Sequence, residues 1–104
     1  MEWNMAHTPE RNFIRHVVFF SAKDKQDVDR IMAGLGMLQN VPGARHFEVR
    51  KNLRADRFSD DVDIVLYAEF DDEDALKAYH AHPIYQECIS VVRPLRDLRI
   101  AADF

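Results

Sequence analysis

The sequence is poor in cysteine, glycine and proline, with one, three and four of each in 104 residues. A lone Cys88 allows no internal disulfide. The scarce glycines form no phosphate-cradling loop, which argues against a nucleotide enzyme. Long apolar runs are also missing: Val17 to Phe20 and Ile64 to Tyr67 fall far short of the roughly 20 residues a membrane helix needs. There is no excess of positive charge. Ten Arg and four Lys are scattered among eighteen Asp and Glu, for a net charge of -4, so the basic footprint of a nucleic-acid binder is absent. The opening MEWNMAHTPERN has neither a basic start nor an apolar stretch, unlike a secretory signal. These absences lead us to expect a cytoplasmic protein that binds neither nucleic acid nor membrane.

What is present describes a single globular domain, 47% hydrophobic and 31% charged. A domain this short buries only about two-thirds of its unfolded surface, so it gains much from a partner. Residues 1 to 12 lack apolar periodicity and read as a flexible arm in which Trp3 and Met5 belong to a loose tail, leaving 13 to 104 as the domain.

Phe13 to Ala22 is rich in β-branched and aromatic residues and apolar on both alternating faces except at His16, so it reads as a strand covered on both sides. In the following segment Val28, Ile31, Met32, Leu35 and Leu38 recur at helical spacing, with Asp24 as N-cap. Gly34 and Gly36 interrupt it, which implies either fraying or a close approach of something to the backbone. Ala44 to Leu53 alternates, with Phe47 and Val49 opposite His46, Glu48 and Arg50. A polar loop follows. The third strand, Asp63 to Phe70, has Ile64, Leu66, Ala68 and Phe70 on a fully apolar face and Val65, Tyr67 and Glu69 on a mixed one. Four acidic residues from Asp71 to Asp74 open a second helix, Pro83 interrupts and restarts it, and Pro94 ends it. Leu98 and Ile100 fit a last strand.

The order strand, helix, strand, strand, helix, strand is a split βαβ plan, the ferredoxin-like α+β fold with a four-stranded antiparallel sheet. Its helices cover one sheet face. The other carries Val65 and Tyr67, with His46 and Glu48 beside them, and one of the two apolar sets of strand one, Val17 and Phe19 or Val18 and Phe20, and is the expected interface of a homodimer.

Histidine suits acid or base work near neutral pH. His16 sits among apolar neighbours and needs a hydrogen-bond partner or a ligand; the plain alternative is a satisfied core histidine. Tyr79 and His82 are three apart and share a helix side if the turn persists, whereas the plain reading has Tyr79 in the core and His82 capping the restarted helix. His80 and His82 form an HxH pair, but on a helix residues two apart diverge, and no acid or Cys cluster completes a ligand set; no metal site is expected. Cys88 reads as packing within an apolar stripe.

IRHVVFF at 14 to 20, VPGARHFEV at 41 to 49, DIVLYAEFDDEDALKAY at 63 to 79 and HPIY at 82 to 85 together resemble the stress-responsive A/B barrel (Dabb) domains over about residues 13 to 102. The resemblance implies a ferredoxin-like protomer pairing sheet to sheet in a dimeric α+β barrel, with a cavity between sheet and helices. It places Val18, Phe20, Ile64 and Leu66 on the cavity side with His16. Members include stress-induced proteins, many of unknown role, and a polyketide cyclase that works without metal or cofactor. Matched to that branch, the catalytic Tyr falls on Tyr79 and a pocket His on His16, while the catalytic His falls on Tyr85, which removes the expected base. The expected function is therefore a homodimer that binds a small apolar or aromatic molecule, with no cofactor. The alternative is a cofactor-independent cyclase-like or monooxygenase-like enzyme using Tyr79 with His82 or His16.

Overall fold

A computed structural model describes residues 12–104. The expected arm, including Trp3, Met5 and His7, lies outside them except for Asn12. Strand β1 (Ile14–Ala22) leads through a 3-10 turn (Lys25–Asp27) into helix α1 (Val28–Gly36), which ends in a second 3-10 turn (Met37–Asn40). Strands β2 (Ala44–Lys51) and β3 (Ile64–Phe70) follow, then helices α2 (Glu73–Ala81) and α3 (Pro83–Val92) and strand β4 (Arg96–Asp103). The strands form one antiparallel sheet in the order β2-β3-β1-β4, which is the ferredoxin-like arrangement. No helix among the described residues is long and apolar enough to cross a membrane.

Local chemistry accounts for the helix starts. Asp24 accepts the Gln26 N–H at 2.9 Å ahead of the first 3-10 turn. Asp72 accepts the Ala75 N–H at 2.8 Å and caps α2, with Glu73 and Asp74 in the first turn where the helix dipole favours negative charge. Pro83 separates α2 from α3. The His82 ring accepts the Ile84 N–H at 3.1 Å through Nδ1, so this histidine is the N-cap of α3.

Each of the two sequence alternatives for the glycines applies at one of them. A Cβ on Gly34 would sit 2.9 Å from Cγ2 of Val92, so α1 and α3 touch closely there. Gly36 has open space around it and marks the change from α-helix to 3-10 turn.

The core lies between the helices and one sheet face. Ile64, Leu66, Ala68 and Phe70 from β3 are all buried, as are Val18 and Phe20 from β1, and Ile31, Leu35, Tyr79, Cys88 and Val92 cover them from the helices. Across the opposite face the register aligns Arg50, Val65, Phe19 and Ile100 in one row and Glu48, Tyr67, Val17 and Ala102 in the next. Phe19 is 36% exposed and Ile100 54%. That face therefore presents an apolar band to solvent, edged by charge.

The polar loop before β3 is tied to the fold by Asp63. Its carboxylate accepts the Ala22 N–H at 2.8 Å and the Lys25 ammonium at 2.7 Å, and also pairs with Arg54. Burial alone would raise the Asp63 carboxyl, but Lys25, the Ala22 N–H and Arg54 together hold it below its ordinary value.

Candidate functional site

Between the sheet and the helices lies a cavity of about 260 Å³. Its floor is apolar: Val18 and Phe20 of β1, Leu66 of β3, Leu35 of α1, Leu38 of the following turn and Val92 of α3. Strand alternation sends the β1 and β3 side chains to the helix side, and the 3.6-residue period brings the helix side chains over them. Tyr79, Tyr85, Cys88 and Ile89 add an aromatic and aliphatic wall, and Arg93, Arg96 and Arg99 line the same space.

His16 is the buried polar group of this lining, 3% exposed. Its Nδ1 bonds to the Asp103 carboxylate at 2.5 Å, across the cross-strand pair that joins β1 to β4. The carboxylate can only accept, so Nδ1 is the donor of this bond. Around it stands an aromatic cluster. The His16 ring centroid lies 6.4 Å from that of Tyr79 and 5.5 Å from that of His80, and Tyr79 lies 5.2 Å from Tyr85. Burial pushes the Tyr79 hydroxyl far above the ordinary phenol range, aided by Tyr85 and Cys88, so it stays protonated and can serve as a donor. Burial likewise pushes the Cys88 thiol up to about 11, which leaves it an unreactive packing group.

His80, which the sequence analysis weighs only as half of an HxH pair with His82, joins this cluster. Burial lowers its pKa, and the nearby His16 and Arg99 lower it further while Asp103 opposes them, so the neutral ring is favoured. Its Nε2 is buried without a hydrogen-bond partner among the described residues. Among those residues no three His, Cys, Asp or Glu side chains gather closely enough to hold a metal ion.

Of the expected site residues, the structure brings together His16, Val18, Phe20, Leu66, Tyr79 and Tyr85 around the cavity. It does not bring in two others. Ile64 is wholly buried in the core and is absent from the lining, although Phe20, its cross-strand partner on β1, is part of it. His82 is also absent, because its ring is spent on the α3 cap. The expected interface residues Val17, Phe19, Val65, Tyr67, His46 and Glu48 share the open sheet face. There the Tyr67 hydroxyl donates to Glu69 at 2.6 Å, a bond that raises its pKa.

The residues missed are Leu35, Leu38, Cys88, Ile89, Val92 and the three arginines. The helical periodicity carries Leu35 and Leu38 as core positions and Cys88 as packing, but not Ile89. For the arginines no sequence signal exists, since Arg96 and Arg99 stand an odd number of residues apart and a regular strand would send them to opposite faces.

The chain matches the sequence profile described as Stress responsive A/B Barrel Domain over residues 14–104. No curated protein is detectably similar to it. Among solved structures it resembles a Dabb family protein with a ferredoxin-like fold from Mesorhizobium loti, at 22% identity and a TM-score of 0.76, covering 90% of this chain and 96% of that one. It also resembles a dimeric ferredoxin-like protein of unknown function from Thermobifida fusca, at 22% identity and a TM-score of 0.75, covering 93% of this chain and 94% of that one. A dimeric ferredoxin-like protein of unknown function from Bacteroides fragilis matches at 22% identity and a TM-score of 0.70, over 90% of this chain and 96% of that one. At these identities the likeness establishes the fold.

Proposed function

The chain belongs to the stress-responsive A/B barrel family, and from that premise we propose that it acts as a homodimer that binds a small, mainly apolar or aromatic molecule in the cavity between sheet and helices. The cavity carries this reading. It has a largely apolar floor, an aromatic wall, and a buried histidine already oriented by a carboxylate, which is the pattern of a ligand pocket with a few placed polar groups. The dimer is supported by the exposed apolar band on the open sheet face and by the dimeric state of the Thermobifida and Bacteroides proteins.

A catalytic reading rests on His16 and Tyr79 alone. His82 is engaged as a helix cap, and Tyr85 occupies the place where the cyclase branch would have its imidazole. His16 would take a proton through Nε2 while Asp103 steadies the imidazolium, and Tyr79 would donate a hydrogen bond to the developing oxyanion. Among the described residues His16 is the one imidazole lining the cavity, and that arrangement favours binding.

Native mass spectrometry of the freshly purified protein tests the reading in one spectrum. We expect a dimer carrying a small-molecule adduct that denaturation releases. A monomer would remove the homodimer. A dimer that stays empty after incubation with small aromatic and aliphatic compounds would remove the binding role.

A further inference from the structure

Three arginines line the cavity, and a local irregularity places one of them, Arg96, there. Arg93 directly follows α3, and the chain then turns at Pro94 into β4, which bears Arg96 and Arg99. The register slips between the pairs Phe20↔Arg99 and Ala22↔Arg96, so β4 carries one residue more than β1 over that stretch. The extra residue turns Arg96 to the side of Arg99, and both line the cavity beside Arg93. The Ser21 hydroxyl accepts the Leu98 N–H at 2.9 Å, which satisfies a donor within the slipped stretch.

Among the described residues none of these three guanidinium groups pairs with a carboxylate, whereas Arg30, Arg45, Arg50 and Arg54 each do. Arg99 reaches the Tyr85 hydroxyl at 3.4 Å and Arg96 the Asp97 carbonyl at 3.4 Å, which leaves most of their N–H donors unused. Asp103, on the same side of β4 as Arg99, is engaged with His16. In a chain of net charge -4, these three cations line one cavity without a carboxylate partner among the described residues, and a bound anion would supply one.

We infer that Arg93, Arg96 and Arg99 form the headgroup site of this cavity and that its ligand is an amphipathic carboxylic acid, its carboxylate on the arginines and its apolar or aromatic body on the floor. The inference rests on the binding role proposed above and adds the chemical class of the ligand. A guanidinium fork matches a carboxylate in two parallel hydrogen bonds, which an ammonium would not. The cavity of about 260 Å³ exceeds the ~150 Å³ that houses a benzene ring, so one substituted ring or a medium-length acyl chain fits.

Calorimetric titration of the full chain with octanoate and with 1-octanol tests it. These probes share their apolar body and differ in the headgroup. We expect octanoate to bind at least tenfold more tightly than octanol, and the double variant Arg96→Gln/Arg99→Gln to erase that preference while keeping octanol affinity and the thermal midpoint. Arg30→Gln removes a charge on α1 and should leave the preference intact. Equal binding of both probes by the unaltered protein, or a preference that survives the double variant, overturns the headgroup site and leaves the binding role standing. Binding of neither probe overturns both.

Discussion

Asp63 closes the loop before β3, which begins one residue later than the sequence pattern places it, and that pattern marks Asp63 only as a strand start. In the fold it is 3% exposed and gathers a backbone N–H from β1, a lysine and an arginine. Lys25 and Arg54 are themselves 63% and 44% exposed, so their loss costs little once water replaces the carboxylate. The buried Ala22 N–H has no such alternative. Asp63→Ala should therefore destabilise the protein by about 2 kcal/mol, and Asp63→Asn, which keeps an acceptor for that N–H, by about 1 kcal/mol. The pH dependence has a definite sign. Because the folded carboxyl titrates below its unfolded value of about 3.9, its contribution is whole above roughly pH 4 and is lost as pH falls through the folded value. Urea unfolding at pH 7, 5, 4 and 3, at one protein concentration, should show the gap between the unaltered protein and Asp63→Asn holding constant at pH 7 and 5 and closing below pH 4. A gap that persists at pH 3 would mean that the charge of Asp63 contributes nothing.

At the level of elements the sequence is most legible where a single period or a single residue decides. The alternation in β3 gives a face buried at Ile64, Leu66, Ala68 and Phe70, as expected, because one residue in two must meet the helices. The Pro83 break marks a real boundary, and Asp24 caps the 3-10 turn that leads into α1 rather than α1 itself, whose N-cap position is Asp27; each acts through its own neighbours. What sequence patterning misses depends on two elements at once. The β4 irregularity exists only against β1, and it alone puts Arg96 beside Arg99 at the cavity. The glycines of α1 show the same limit, because the helical pattern gives both the same cost and only the packing distinguishes them. At Gly34 an added methyl would meet Val92 at 2.9 Å and Val91 at 3.1 Å, and Val92, buried and stiff at χ1, has little room to yield. Overpacking of about 1–3 kcal/mol outweighs a helix-propensity gain of about 1 kcal/mol, so Gly34→Ala should lower stability. Gly36 has an ordinary helical φ of −60° and nothing within 4 Å, so Gly36→Ala should raise it by about 0.5–1 kcal/mol. Thermal melts of the two variants should move in opposite directions. Shifts of the same sign would show that α3 does not constrain α1 at Gly34.

In the molecule as a whole, the helices leave one sheet face bare. The row Val65, Phe19, Ile100 and the row Tyr67, Val17, Ala102 put apolar side chains on three adjacent strands, with Arg50 and Glu48 at the ends of those rows. A second copy related by a two-fold axis presents the same band, so the apolar rows meet each other and the rim can pair opposite charges. A small domain gains disproportionately from such burial. The cavity lies on the other side of the sheet, and its lining shares β1, β3 and β4 with the proposed interface through alternate residues. Pairing would thus stiffen the strands that hold His16, Asp103 and the arginines without touching the cavity itself. Phe19 stands at the centre of the band, between Val65 and Ile100, and a charge placed there would be buried twice in a symmetric dimer. Phe19→Asp should accordingly shift the protein from dimer to monomer in sedimentation velocity at micromolar concentration while the far-ultraviolet dichroism of the fold persists. It should also lower the thermal midpoint in a concentration-independent way, where the unaltered dimer melts higher as it is concentrated. A Phe19→Asp variant that sediments as the same dimer would place the pairing surface elsewhere.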